Sequence, residues 1–282
     1  MMPPKTTASI SKEERALLSS GQMASRTLVD ILVVDFAVLM EAVSRMPAHA
    51  IAQLRVAEGV STDAAAATAM CATLESLRAP VPKAWKPGAK LGITQRMALA
   101  GGLIAKHDAA NVDALTSHAS DTVRGWAAYA ITRGERSPEK LAAKVRCIKP
   151  LAADEHSGVR EWAWLSVRPF VDDEPEKAIA SLLPWTASKD ANVRRFASEV
   201  TRPRGVWCGH IKLFKANPAA GLAVIEPLKA DMSRYVQNSV ANWLNDAGKS
   251  DAVFVRQVVK RWQRESASAS TAYIVKRAVR SL

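Results

Sequence analysis

The sequence predicts an all-α fold, a curved α-solenoid of stacked two-helix repeats, on three observations. Apolar residues recur at spacings of three and four rather than two in segment after segment, which is helical period. With 48% hydrophobic residues and only 14 Pro and 13 Gly among 282, the composition argues against disorder, collagen and low-complexity repeats and for a packed fold. A Val-Arg helix start recurs through the second half of the chain, and a period of a few tens of residues marks a stacked array.

The elements follow in order. Residues 1–20, opening MMPPKTTASISKEER, lack the continuous apolar core of a secretory signal and read as a flexible arm. A single repeat domain is expected over 21–282, beginning with helices over 21–80. Between Arg26 and Met46, Leu28, Ile31, Leu32, Asp35, Phe36 and Leu39 follow the i, i+3, i+4 pattern of one or two packed helices. Asp35 on that stripe is either a paired carboxylate or a sign that the helix is rotated outward. The apolar run ILVVDFAVLM is about half the length of a membrane span and holds a charge, so no transmembrane helix is expected. A further helix covers about Thr62 to Leu77. The segment 79–92, APVPKAWKPGAKLG, breaks regular structure with three prolines and two glycines; it either separates domains or crosses within one.

Residues 93–282 carry the repeats. SDTVRGWAAYAI, HSGVREWAWLSV, DANVRRFASEVT and SRYVQNSVANWL align on Val123, Val159, Val193 and Val236, spaced by 36, 34 and 43 residues. SASTAYIVKRAVRSL supplies a fifth copy near Ile274. Each copy is a polar turn, a Val, usually an Arg, then an apolar helix, with another helix between copies; this is a HEAT-like two-helix unit. One unit cannot bury its apolar face alone. The copies are therefore expected to stack with their second helices lining a concave binding surface.

Charge points to the ligand. Lys and Arg total 39 against 27 Asp and Glu, a net charge of +12, and such a surplus implies an anionic partner, with nucleic acid first among candidates. Six basic residues between Ala191 and Lys215 (Arg194, Arg195, Arg202, Arg204, Lys212, Lys215) face Glu199 alone. Seven between Arg256 and Arg280 face Glu265 alone. Arginines at equivalent repeat positions suit a phosphate backbone, whereas the bland alternative is solvated helix faces. Cys71, Cys147 and Cys208 form no CxxC pair, and Cys208 with His210 lacks further ligands. Neither disulfide nor metal is expected, no cofactor is called for, and the compartment should be reducing and cytoplasmic.

Two blocks, NVRRFASEVTRPRGVW and YVQNSVANWLND, resemble the signatures of bacterial DNA alkylation repair glycosylases built from HEAT-like repeats, specifically the AlkC branch. The resemblance covers roughly Ser120 to the C-terminus. It implies an enzyme that holds duplex DNA containing alkylated bases in a basic concave groove and removes cationic purines such as 3-methyladenine, with no obligate protein partner. Arg168, Arg194, Arg195, Arg202 and Arg204 would then hold DNA. Glu199 and Asp246 would be the catalytic carboxylates, and Trp164, Trp207 and Asn242 would line the lesion pocket. Where the family carries a catalytic Glu four residues before the Arg of an RPF motif, this chain has Trp164 four before Arg168. Glu161, one turn earlier, would substitute, or the activity is weakened, altered or absent. No room is expected for the C-terminal immunoglobulin-like domain of some relatives. A cationic alkylpurine is already a good leaving group, so carboxylates that stabilise an oxocarbenium-like sugar, and an indole face beside the lesion, suit its release. The competing class is a non-catalytic solenoid that binds DNA or a protein through the same groove.

Overall fold

The computed structural model of the chain describes residues 6–134 and 137–282, apart from the side chain of Leu28. Among the described residues, regular structure consists of seventeen α-helices and several 3-10 turns, with no strand. The order is α1 (Lys12–Ser19), α2 (Leu28–Leu32), α3 (Phe36–Val43), α4 (Ala48–Ala57), α5 (Ala64–Ser76), α6 (Ile93–His107), α7 (Val112–Leu115), α8 (Asp121–Arg133) and α9 (Leu141–Ala152). It continues with α10 (Ser157–Asp173), α11 (Pro175–Leu182), α12 (Ala191–Val200), α13 (Lys212–Ala216), α14 (Leu222–Ile225), α15 (Arg234–Gly248), α16 (Ala252–Glu265) and α17 (Ala269–Ala278). The chain is thus all-α, built from HEAT-like helix pairs. None of its described helices is long and apolar enough to cross a membrane.

Two compact units divide it. The first joins residues up to Ser137 with His156–Ser166; the second joins Pro138–Glu155 with Val167–Leu282. Helix α10 contributes its first part to one unit and its last turns to the other.

In the first unit, the expected arm contains α1, capped by Ser11, whose hydroxyl accepts from Glu14 N at 3.1 Å, and anchored by buried Leu18; residues 1–5 lie outside the described set. Asp35 turns out to be neither a buried ion-pair member nor a mark of rotation. It is the N-cap of α3, accepting from Val38 N at 2.9 Å, and so divides the apolar stripe into α2 and α3. Ile31, Phe36 and Leu39 of that stripe are buried, and Leu32 is partly exposed. The proline-rich segment 79–92 is an ordered crossing with the first unit on both sides. Leu91 N bonds Ala57 O at 2.8 Å, Gln95 Nε2 bonds Pro80 O at 3.0 Å and Trp85 Nε1 bonds Ala89 O at 2.7 Å. Helices α6 and α8 approach closely because Gly101 faces backbone: a Cβ there would lie 2.6 Å from Trp126 O and 2.5 Å from Tyr129 Cβ.

In the second unit, α12 packs on α15 and α15 on α17. Val193, Val236 and Ile274, the repeat anchors of these helices, are buried together with Trp243 and Trp262. Each such aliphatic side chain contributes roughly 1.5–3 kcal/mol by leaving water.

Candidate functional site

Two backbone-holding devices explain the arginine periodicity before any ligand is invoked. The residue after the anchoring Val folds back on the turn before its own helix. Arg124 Nη1 donates to His118 O at 2.6 Å, Arg194 Nη1 to Ser188 O at 2.9 Å, and Gln237 Nε2 to Asp231 O at 2.7 Å. A residue in the later turns of the helix reaches carbonyls of the next repeat, including ones that lack an intrahelical donor, either at a helix end or, for Leu165 O, four residues before Pro169, which has no N–H to give. Arg133 donates to Leu165 O and Ser166 O, both at 2.8 Å, and Asn245 Nδ2 to Ala278 O at 3.1 Å. Arg168 belongs to this second class, donating to Val200 O at 3.0 Å, Arg202 O at 2.7 Å and Gly209 O at 3.0 Å.

These bonds engage two of the arginines expected to hold phosphate. Arg168 is 2% exposed, its donors point at carbonyls, and burial pushes its guanidinium below the usual range. Arg194 spends its fork on Asp231, with Nε to Oδ2 at 2.6 Å and Nη2 to Oδ1 at 3.0 Å.

Arg195 and Arg202 instead build the site. Helix α12 places Arg195 and Glu199 one turn apart, and Arg202 follows just past the helix end. Helix α15 offers Ser239 and Asp246 seven residues apart, hence on one face. Arg202 bridges the two helices: Nη1 donates to Glu199 Oε1 at 2.7 Å and Nε to Asp246 Oδ2 at 2.8 Å. Ser239 Oγ donates to Glu199 Oε2 at 2.7 Å and in turn accepts from Ser198 Oγ at 2.7 Å. Arg195 Nη2 lies 3.4 Å from Glu199 Oε2 and its guanidinium 4.5 Å from the Tyr235 ring; Lys249 Nζ lies 3.4 Å from Asp246 Oδ1.

Glu199 and Asp246 are each 4% exposed. Burial alone would raise the Glu199 pKa, but the charges of Arg195 and Arg202 and the hydrogen bonds from Ser239 and Arg202 outweigh it and hold the carboxyl below its ordinary value. Burial opposes the Arg202 charge too, and its two carboxylate partners overcome that and raise its pKa. Such a buried network contributes little net stability but fixes geometry, because breaking one arm strands a charge. It holds the Glu199 carboxyl toward its ionised form in a buried setting, with Asp246 on the same guanidinium.

The loop from Thr201 to Ile211 closes over Arg168. Gly205 is needed there, since a Cβ would meet Cys208 Sγ at 2.2 Å and the Arg168 guanidinium carbon at 3.0 Å. Trp207 sits at φ 61° and is 49% exposed, beside exposed Val206. A non-glycine residue in the left-handed region is strained. Arg204 donates to Ser250 Oγ at 2.9 Å, and Asn242 accepts from Arg280 Nη2 at 2.9 Å. In the first unit, Trp164 is 2% exposed and donates from Nε1 to Glu161 Oε2 at 2.8 Å. The structure therefore gathers Arg195, Glu199, Arg202 and Asp246 in one network and pairs Glu161 with Trp164 in another. Ser239 and Lys249 were absent from the sequence-based set. Their signal was spacing on α15, seven residues before and three after Asp246. No group of three or more metal-ligating side chains occurs among the described residues.

Comparison with known proteins gives the family and the fold. Residues 94–282 match the family described as DNA alkylation repair enzyme. The uncharacterized protein YhaZ of Bacillus subtilis (strain 168) is 40% identical over 135 residues, 48% of this chain and 36% of that protein. Among solved structures, the alkylpurine DNA glycosylase AlkC of Pseudomonas fluorescens, bound to DNA containing an abasic site analogue, superposes with a TM-score of 0.51 at 23% identity, covering 99% of this chain and 65% of that one. Protein smu.31 of Streptococcus mutans UA159 superposes with a TM-score of 0.50 at 22% identity, covering 68% of this chain and 100% of that one. These superpositions establish the fold. The alignment with YhaZ takes in about a third of that protein's length, and AlkC is covered to just under two thirds.

Proposed function

Because the chain belongs to the DNA alkylation repair enzyme family, we propose that it is a DNA glycosylase. Its substrate would be a cationic N-alkylated purine of the 3-methyladenine type in duplex DNA. The observation that supports this reading is the pair of buried carboxylates, Glu199 and Asp246, bridged by the guanidinium of Arg202. In the proposed reaction the C1′–N9 bond breaks with its electron pair passing to the purine, which neutralises the alkylated cation. Water adds its oxygen to C1′ and releases a proton to solvent. The carboxylates stabilise the positive sugar between these events, a role that needs them within about 4 Å of it. Exposed Trp207 supplies an aromatic face for the cationic base, worth about 0.5–2 kcal/mol. Arg204 and Lys249, at the edge of the network, would contact phosphate.

A second reading, a DNA-binding protein without catalysis, draws support from the donors that already surround Glu199 and Asp246 and from buried Trp164 at the position where the family carries a Glu. Single-turnover release of methylated purines by the wild type, Glu199→Gln, Asp246→Asn and Trp164→Glu separates the two. The glycosylase reading expects release by the wild type and a loss of about a hundredfold or more in the Gln and Asn variants. Binding of methylated duplex without release, restored by Trp164→Glu, would establish the second.

A further inference from the structure

The seven basic residues between Arg256 and Arg280 separate into groups once their partners are known. Arg261 is neutralised: its guanidinium donates to Glu226 Oε2 at 2.6 Å and Glu265 Oε1 at 3.2 Å, and Lys229 joins the same network. Arg277 lies 5.6 Å from the Tyr273 ring, and Arg280 is committed to Asn242. Lys276 is exposed on α17. Arg256, Lys260 and Arg264 are exposed on α16, and none pairs with a carboxylate among the described residues.

Steps of four residues put these three cations on one helix face, within about 80° of arc. Val253, 64% exposed, shares that face with Gln257 and Gln263, and no acid does. The opposite side, Val255, Val258, Val259 and Trp262, is buried.

A solvated helix face ordinarily mixes signs, because like charges one turn apart repel. Arg256 with Lys260, and Lys260 with Arg264, are both like-charged pairs. The acids at the two ends of α16 do not relieve them: Asp251 caps the helix, accepting from Phe254 N at 2.9 Å, and Glu265 faces Lys229 and Arg261. The helix has thus sorted its charges, neutralising Arg261 and leaving a one-sign stripe in water.

From this we infer that the solvent face of α16 is a second, sequence-independent contact for the phosphate backbone of duplex DNA, distinct from the carboxylate network of α12 and α15. The inference rests on the DNA-binding part of the function proposed above, not on its chemistry. Arg256 to Arg264 spans about 12 Å of helix axis at 1.5 Å per residue. One DNA strand presents a phosphate every 3.4 Å of its axis, so the stripe covers about three of them.

The test uses the full chain and an undamaged fluorescent duplex, with affinity measured from 50 to 200 mM salt for the wild type and for the triple variant Arg256→Gln, Lys260→Gln, Arg264→Gln. Each lost phosphate contact flattens the slope of log K against log salt by about 0.9, so the triple variant should be flatter by about 2 to 3. Across that range the wild type then loses about 40-fold more affinity than the variant. Thermal melts should agree closely, since the replaced side chains are exposed and join no ion pair among the described residues. Arg261→Gln is the control, lowering the melting temperature and leaving the slope unchanged. An unchanged slope in the triple variant overturns the inference, as does an effect confined to an RNA hairpin. If the triple variant is flatter as expected but the wild type releases no methylated base, the glycosylase reading fails while this contact stands; if the wild type binds no duplex at all, both fall.

Discussion

Replacing Arg202 by Met removes the one cation that joins α12 to α15 through both carboxylates. The side chain is 9% exposed, donates to Glu199 at 2.7 Å and to Asp246 at 2.8 Å, and Met occupies similar volume without the charge. Two buried carboxylates then lose their shared partner, a change that costs about 3–5 kcal/mol. At about 2–4 °C per kcal/mol for a chain of this size, the melting temperature of the second unit should fall by roughly 6–20 °C. The pH dependence gives a sharper signature. In the wild type the folded-state pKa of Glu199 lies below its unfolded value, so its stabilisation is present above about pH 4.3, the unfolded value, and is lost as pH falls through the folded pKa. Burial is already the largest single influence on Glu199, and without Arg202 only the Arg195 charge and the Ser239 hydrogen bond oppose it, so the balance shifts toward the protonated form. The variant should therefore gain stability between pH 7 and 5, where the wild type is flat. Calorimetry or circular dichroism melts across pH 3 to 8 would show this. A variant melting within about 1 °C of the wild type, with the same acid limb, would refute the network as the link between these helices.

Arg168→Met should release the 201–211 loop, costing about 2–4 kcal/mol for three charge-assisted bonds to carbonyls. Limited proteolysis should then cut between Pro203 and Gly209, while the salt slope of DNA binding stays unchanged because this side chain meets no phosphate. Gly101→Ala pushes a methyl group to 2.6 Å from Trp126 O, and overpacking against backbone should destabilise the first unit by about 1–3 kcal/mol, read by denaturant melts. Trp164→Phe removes the indole donor to half-buried Glu161, so one hydrogen bond is lost at a cost of about 0.5–1.5 kcal/mol, measured in the same way.

Much of the fold was legible because it rests on short-range pattern. The helical period and the buried anchors Val123, Val159, Val193 and Val236 are set by neighbours within a few turns, and the matched copies reveal the stacking. Asp35 was misread because an N-cap at the boundary of two short helices falls in phase with the stripe of one long helix. The arginine roles were hidden for a different reason. Arg168 finds its carbonyls on the next repeat, 32 to 41 residues away, and Arg194 meets Asp231 at 37, distances over which sequence carries no geometry. Recurrence showed that these arginines matter without showing whether they face a phosphate or a backbone oxygen. Glu199 and Asp246 could be named from the resemblance, but their shared bond to Arg202 required the packing of α12 on α15.

The most direct test of the account is base release from a defined lesion. A duplex carrying a single N7-methylguanine, incubated with excess wild-type chain, is assayed in the same tube for the free base by mass spectrometry and for strand cleavage at abasic sites after alkali. The account predicts equal yields of free 7-methylguanine and abasic sites, formed well above the spontaneous rate and lost in Asp246→Asn. Tight binding of that duplex with neither product above the spontaneous rate would contradict it.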